Sequence, residues 1–97
     1  VPIYPRRALE RGTMGYALVK FTITDTGSVE NPEIVEGYCS RQNPDDPDAE
    51  FRPCSMFNSA TQRAALKLKY KPKIVDGKAV AVEGVLHSFK YVLDETG

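Results

Sequence analysis

The sequence predicts an α+β two-layer domain. The expected architecture is a three-stranded antiparallel sheet packed by one long helix, with a short N-terminal helix, in the order α-β-β-α-β. Three observations predict it. Residues 16–24 alternate at period two and run into a tight turn, which pairs two strands antiparallel. From Ser55 the apolar period changes to helical spacing. Residues 79–93 return to alternation. Strands that bury one face against one helix make a two-layer α+β domain. A chain of 97 residues is enough for one such domain, spanning 1–97.

The elements follow in order. Val1-Pro2-Ile3-Tyr4-Pro5 is extended, because each proline disfavours helix before it. Pro5 suits the first turn of a short helix from Arg6 to Arg11, which Gly12 ends. In the strand from Tyr16 to Thr24, Ala17, Val19, Phe21 and Ile23 share one face, and Tyr16, Leu18, Lys20 and Thr22 the other. Asp25-Thr26-Gly27-Ser28 is the hairpin turn. A second strand runs from Val29 to about Tyr38. Pro32 inside it cannot donate a ladder hydrogen bond and marks an edge or a bulge. Residues 39–54 form an irregular loop with exposed turns over Asn43–Asp48. Phe57, Ala60 or Thr61, Ala64 and Leu68 then lie on one helix face, with Ser55 the favoured N-cap over Asn58. Pro72 stops the helix near Tyr70. Asp76-Gly77 is a turn, and Ala79 to Leu93 is a long last strand. Val85, Phe89, Tyr91 and Leu93 share a face there, and Gly84 marks a bulge or close approach. The expected core is Val19, Phe21, Ile23, Phe57, Ala64, Leu68, Tyr70 and Phe89.

Composition excludes several functions. Thirteen basic residues balance thirteen acidic ones, so general nucleic-acid binding lacks its electrostatic footprint. No run of 18 apolar residues offers a membrane-spanning helix. Val1 is not Met, so a mature or excised fragment is expected, with any targeting or anchoring segment upstream. Cys39 and Cys54 fit neither a CxxC redox motif nor a zinc site. They are either two free thiols or a disulfide closing a surface loop in an oxidising compartment. A disulfide closing a loop of that size contributes about 3 kcal/mol in the chain-entropy model.

No motif carries chemistry. His87 is the sole histidine, and nothing in the sequence sets a nucleophile and a carboxylate beside it. Asp45, Asp46, Asp48 and Glu50 lack the spacing of a calcium loop and read as a solvated turn. Gly12 and Gly15 do not sit between a strand and a helix, as a phosphate cradle requires. Arg63, Lys67, Lys69, Lys71 and Lys73 read as the wet end of a helix. No catalytic residue, metal or cofactor is therefore expected, and binding is the default role. The last strand is the candidate, since it is long, free of proline and last added to a hairpin. An edge strand shows unpaired N–H and C=O groups to an extended peptide.

Several stretches resemble one family. Tyr4-Pro5 with Arg6, Ala8 and Gly12 is similar to the opening of the C-terminal domain of TonB proteins. Gly15 to Ile23 followed by Gly27-Ser28-Val29 resembles its first hairpin. Phe57, Ala60, Ala64 and Lys69-Tyr70-Lys71-Pro72 resemble its helix and the stop after it. Gly77-x-Ala79-Val80 and Gly84-Val85, leading to Phe89-x-Tyr91-x-Leu93, resemble its final strand. The segment from Cys39 to Cys54 departs from the pattern as a longer insertion with two cysteines.

The resemblance implies a periplasmic domain of a Gram-negative protein anchored in the inner membrane by an N-terminal helix outside this chain. It implies coupling to the ExbB–ExbD motor through that region. It also implies binding of outer-membrane transporters that import substrates such as iron siderophores, haem or cobalamin. In the family the transporter's TonB box adds as a strand beside the last strand. This makes Gly84, Val85, Leu86, His87, Ser88, Phe89, Lys90 and Tyr91 contact candidates, with Tyr4, Pro5 and Arg6 nearby. A homodimer is a further family expectation, and the periplasm suits a Cys39–Cys54 disulfide. The alternative is a TonB- or TolA-like envelope domain with a structural role and no transporter coupling.

Overall fold

The structure, a computed structural model, describes residues 2–93. Val1, which opens the predicted extended segment, and residues 94–97 lie outside it. After the extended segment, α1 spans Arg6–Arg11. It closes on Gly12 in the left-handed conformation, whose N–H returns to the carbonyls of Ala8 and Leu9. Strand β1 is Met14–Ile23 and β2 is Val29–Ser40, two residues longer at their shared end than the alternation indicates. Tyr16 faces Tyr38 and Met14 faces Ser40 in the antiparallel register. Between the pairs Lys20–Glu33 and Thr22–Glu30, β2 carries an extra residue. Pro32 sits in that bulge beside Asn31 at φ 53°. A missing N–H costs nothing where the ladder is already interrupted.

Four differences from the predicted element order follow. A two-residue strand β3, Arg52–Pro53, adds outside β2, so the sheet has four strands rather than three. Helix α2 is Asn58–Leu66, nine residues rather than the long helix expected from Ser55 to Tyr70. Lys73–Val75 forms β4 and pairs with β5, Lys78–Val80, across the Asp76-Gly77 turn. The last strand β6 is Val82–Tyr91, separated from β5 by Ala81.

The helix is short for reasons outside its own periodicity. At its start the Asn58 amide donates to the Ser55 carbonyl, so Ser55 opens a preceding turn and Phe57 occupies the cap position. At its end the amides of Lys67 and Leu68 make tight i→i−3 bonds, and the Tyr70 amide donates to the Gly27 carbonyl at 2.9 Å. That bond fastens the chain after the helix to the β1–β2 turn. A methyl group at Gly27 would collide with the Tyr70 carbonyl.

The sheet order is β3-β2-β1-β6. Helix α2 packs against β2 and β1. Val19 and Phe21 of β1 cluster with Phe57, Ala60, Ala64 and Ala65 of the helix segment and with Phe89 and Tyr91 of β6, and Ala17 is fully buried in β1. Val19, Phe21 and Phe57 are at most 1% exposed, and Ala64 and Phe89 are 9% and 8% exposed. Ile23, Leu68 and Tyr70 are half-buried against this cluster. Tyr70 and Leu68 reach it from the segment after the helix. An aromatic group closes the end of the core. Phe57 stacks on Tyr91 at 4.2 Å, and Tyr4 meets both rings edge-on at 5.7 Å. Such edge and offset contacts add to the area buried. Within it, the hydroxyls of Thr61 and Tyr91 share a buried hydrogen bond of 2.8 Å.

Candidate partner-binding edge

Strand β6 is an outer strand of the sheet, paired through its other side to β1. Phe21 faces Val85, Val19 faces His87 and Ala17 faces Phe89. Alternation sorts its side chains. Val85, His87, Phe89 and Tyr91 point to the helix side, and burial rises along them toward Tyr91. Leu86, Ser88 and Lys90 point to the helix-free face and are exposed, Leu86 by 57%. Thus Phe89 and Tyr91 have only backbone to offer a partner, while Gly84, Leu86, Ser88 and Lys90 also present their free faces. His87 is half-buried, its ring 4.6 Å from that of Phe89.

Gly84 lies at a bulge. Two residues of β6, Glu83 and Gly84, stand opposite Thr22 between the pairs Phe21–Val85 and Ile23–Val82. Gly84 has φ 69°, a conformation that costs an L-residue about 1–2 kcal/mol. Bulges and charges on an outer strand deter unwanted pairing. Here the bulge stands at one end of β6, and Lys90 at the other.

The opening segment is divided between two places. The Tyr4 ring is packed on Tyr91, and its hydroxyl donates to the Thr13 carbonyl. Burial, followed by the neighbouring Tyr91, pushes the Tyr4 phenol up to about 12. Burial also raises Tyr91, against the lowering effects of the Thr61 hydrogen bond and the Arg63 charge. Pro5 and Arg6 instead line an open groove with Arg7, Cys54, Ser55 and Met56. Tyr4 therefore reaches β6 from beneath, whereas Arg6 stands beside the cystine arm.

Cys39 and Cys54 are joined by a disulfide with Cα atoms 5.7 Å apart, within the usual range. Cys39 is fully buried in β2, and Cys54 follows β3. The Cys54 amide donates to the Gly37 carbonyl at 3.0 Å. A Cβ on Gly37 would stand 2.6 Å from the Cys54 carbonyl oxygen, so this approach requires glycine.

Three features of this region escaped the sequence pattern. The Thr61–Tyr91 bond was foreshadowed only by Thr61 falling at core spacing. The stack of Tyr16 on Tyr38 with Phe51 edge-on to Tyr16 needs the loop to fold back over the sheet. The ion pair of Lys90 with Asp45, 2.6 Å across 45 residues, left no local signal. Among the described residues, no group of three or more potential metal ligands converges, and no helix is long and apolar enough to cross a membrane.

These features define a helix-backed antiparallel sheet domain whose long last strand lies at the sheet edge. Its first 41 residues match the family model described as the Gram-negative bacterial TonB protein C-terminal. Over 80 residues the chain is 32% identical to the protein TonB of Pseudomonas aeruginosa, covering 82% of this chain and 19% of that one. The chain thus spans about a fifth of that relative's length. The solution structure of the P. aeruginosa TonB C-terminal domain superposes with a TM-score of 0.70 at 27% identity, over 98% of this chain and 81% of that one. The TonB2 protein of Vibrio anguillarum superposes with a TM-score of 0.61 at 32% identity, over 98% and 76%. The chain belongs to the TonB C-terminal domain family.

Proposed function

We propose that residues 1–97 form one periplasmic domain of a TonB-type energy transducer, with residues 39–54 an insertion in it. The domain binds the TonB box of outer-membrane transporters as a strand added along β6. The observation that carries this reading is the position of β6 at the sheet edge, with exposed side chains at alternate positions. Backbone hydrogen bonds supply the grip with little demand on the partner's sequence. Leu86 and Ser88 on the free face, with Val85 and His87 beneath, supply discrimination. Small interfaces of this kind release readily, which suits a partner engaged once per transport cycle.

An inner-membrane anchor and the ExbB–ExbD motor, reached through regions outside this chain, complete the proposal. Proton-motive energy then reaches transporters for substrates such as iron siderophores, haem or cobalamin. Tension applied along paired strands loads many hydrogen bonds together. The role is mechanical binding rather than catalysis.

The test is an NMR titration of the labelled domain with TonB-box peptides from transporters encoded in the same genome. Shifts concentrated in residues 82–91 are expected. Their absence at millimolar peptide would overturn strand addition and favour a structural envelope domain.

A further inference from the structure

The segment between the two cysteines is tied into a definite shape. It leaves β2 at Ser40, which faces Met14 of β1. Gln42 then joins its two limbs. Its amide donates to Ser40 Oγ at 3.0 Å, and its Oε1 accepts from the Ser40 hydroxyl at 3.0 Å and the Glu50 amide at 3.4 Å. Asn43 and Asp46 each accept the amide two residues on, at 2.9 Å. Phe51 rests on Tyr16, and the disulfide closes the base. The tip does not stay above β2. Met14, Arg41, Gln42, Asn43, Asp46 and Leu93 line one shallow groove, and Asp45 accepts a hydrogen bond from Lys90 Nζ. A segment rooted on β2 thus passes over the end of β1 and reaches the outer strand.

Resting on the reading of β6 as the strand that accepts a peptide, we propose that this cystine-closed loop is a register stop for the added strand. Backbone pairing sets register weakly, and a slip of two residues returns the same side chains to the same faces. An added strand lies about 4.8 Å outside β6, with its side chains on the same two faces. Opposite Leu86 and Ser88 the helix-free face is open. Opposite Lys90 a side chain on that face meets the Asn43–Asp46 segment. The partner segment therefore pairs along β6 between the Gly84 bulge and Ser88 and halts there, with its next residue small enough to turn aside from the loop. Here the loop determines which residue of the partner faces Leu86, and so which partners fit.

The test places a nitroxide label at either end of a TonB-box peptide and reads paramagnetic broadening across the domain. The label at the Lys90 end is expected to broaden the amides of Asn43, Asp45 and Asp46, while the label at the other end leaves them sharp. Replacing Asn43–Asp48 by Gly-Gly, with both cysteines kept, is expected to spread the broadening toward Leu93 as further registers fill. Asp45→Ala, at an exposed position that the fold does not depend on, gives the same change in smaller measure. It keeps the test available if the shortened loop fails to fold. Peptide shifts along β6 with silent loop amides for both labels, or one unchanged register in both variants, would overturn the stop and leave strand addition standing. No shift along β6 would overturn both.

Discussion

Tyr91 shows how one residue serves two purposes. Its ring belongs to the core through Phe57 and Tyr4, while its backbone belongs to the outer strand. Tyr91→Phe leaves the buried Thr61 hydroxyl without its partner. The expected loss is about 1–3 kcal/mol in a denaturant melt, larger than a deleted surface hydroxyl costs. Tyr4 carries a pH signature. Its folded pKa of about 12 stands above the ordinary value of 10.0, so the folded state holds its proton more tightly. The stability this contributes is present below pH 10 and is lost as pH rises through 12. Tyr4→Phe is expected to flatten that decline between pH 10 and 12, read as the slope of unfolding free energy against pH. An unchanged slope would place the alkaline loss elsewhere.

At the scale of elements, periodicity located strands and helix but did not set where they stop. The helix pattern runs on through Leu68, yet the Tyr70–Gly27 hydrogen bond pulls the chain out of the helix before that residue. Leu68 therefore packs against the core half-buried, from an irregular segment. Leu68→Ala is expected to cost about 1–2 kcal/mol, below the 2–5 kcal/mol typical of a fully buried leucine. Urea unfolding checks it. Strand β6 offers a sharper experiment. Along an edge strand successive amides alternate between the neighbouring strand and open solvent. Of Leu86→Pro and His87→Pro, one removes an amide paired with β1 and the other an outward one. The variant with the smaller drop in melting temperature is expected to abolish peptide binding. Retained affinity in that variant would remove β6 as the docking edge. Pro32 and Gly84 were legible as interruptions because proline and glycine have few other uses inside a strand. Strands β3, β4 and β5 were not, since two- or three-residue strands have no period to detect.

At the scale of the whole molecule, the disulfide joins the core to the insertion. Reduction is expected to lower stability by about 3 kcal/mol, compared by denaturant titration with and without reductant. A loss below half that would mean that Gln42, Phe51 and the Lys90–Asp45 pair hold the loop by themselves. Lys90 and Asp45 are both more than half exposed, and exposed pairs contribute under about 1 kcal/mol, so the disulfide is the stronger fastening. The sequence alone carried the two-layer class, the β1–β2 hairpin, the interruptions at Pro32 and Gly84 and most of the residues that face the helix, but not the register shift at Val35. Those are local matters, decided by period, by turn chemistry, by a proline that has no N–H to donate and by a glycine free to take positive φ. Only the tertiary structure decided that β6 lies outside β1, that β3 and not the helix follows the loop, and that Asp45 stands over Lys90. Each of these depends on which distant segments bury each other's surface, and a residue's neighbours along the chain carry no record of that.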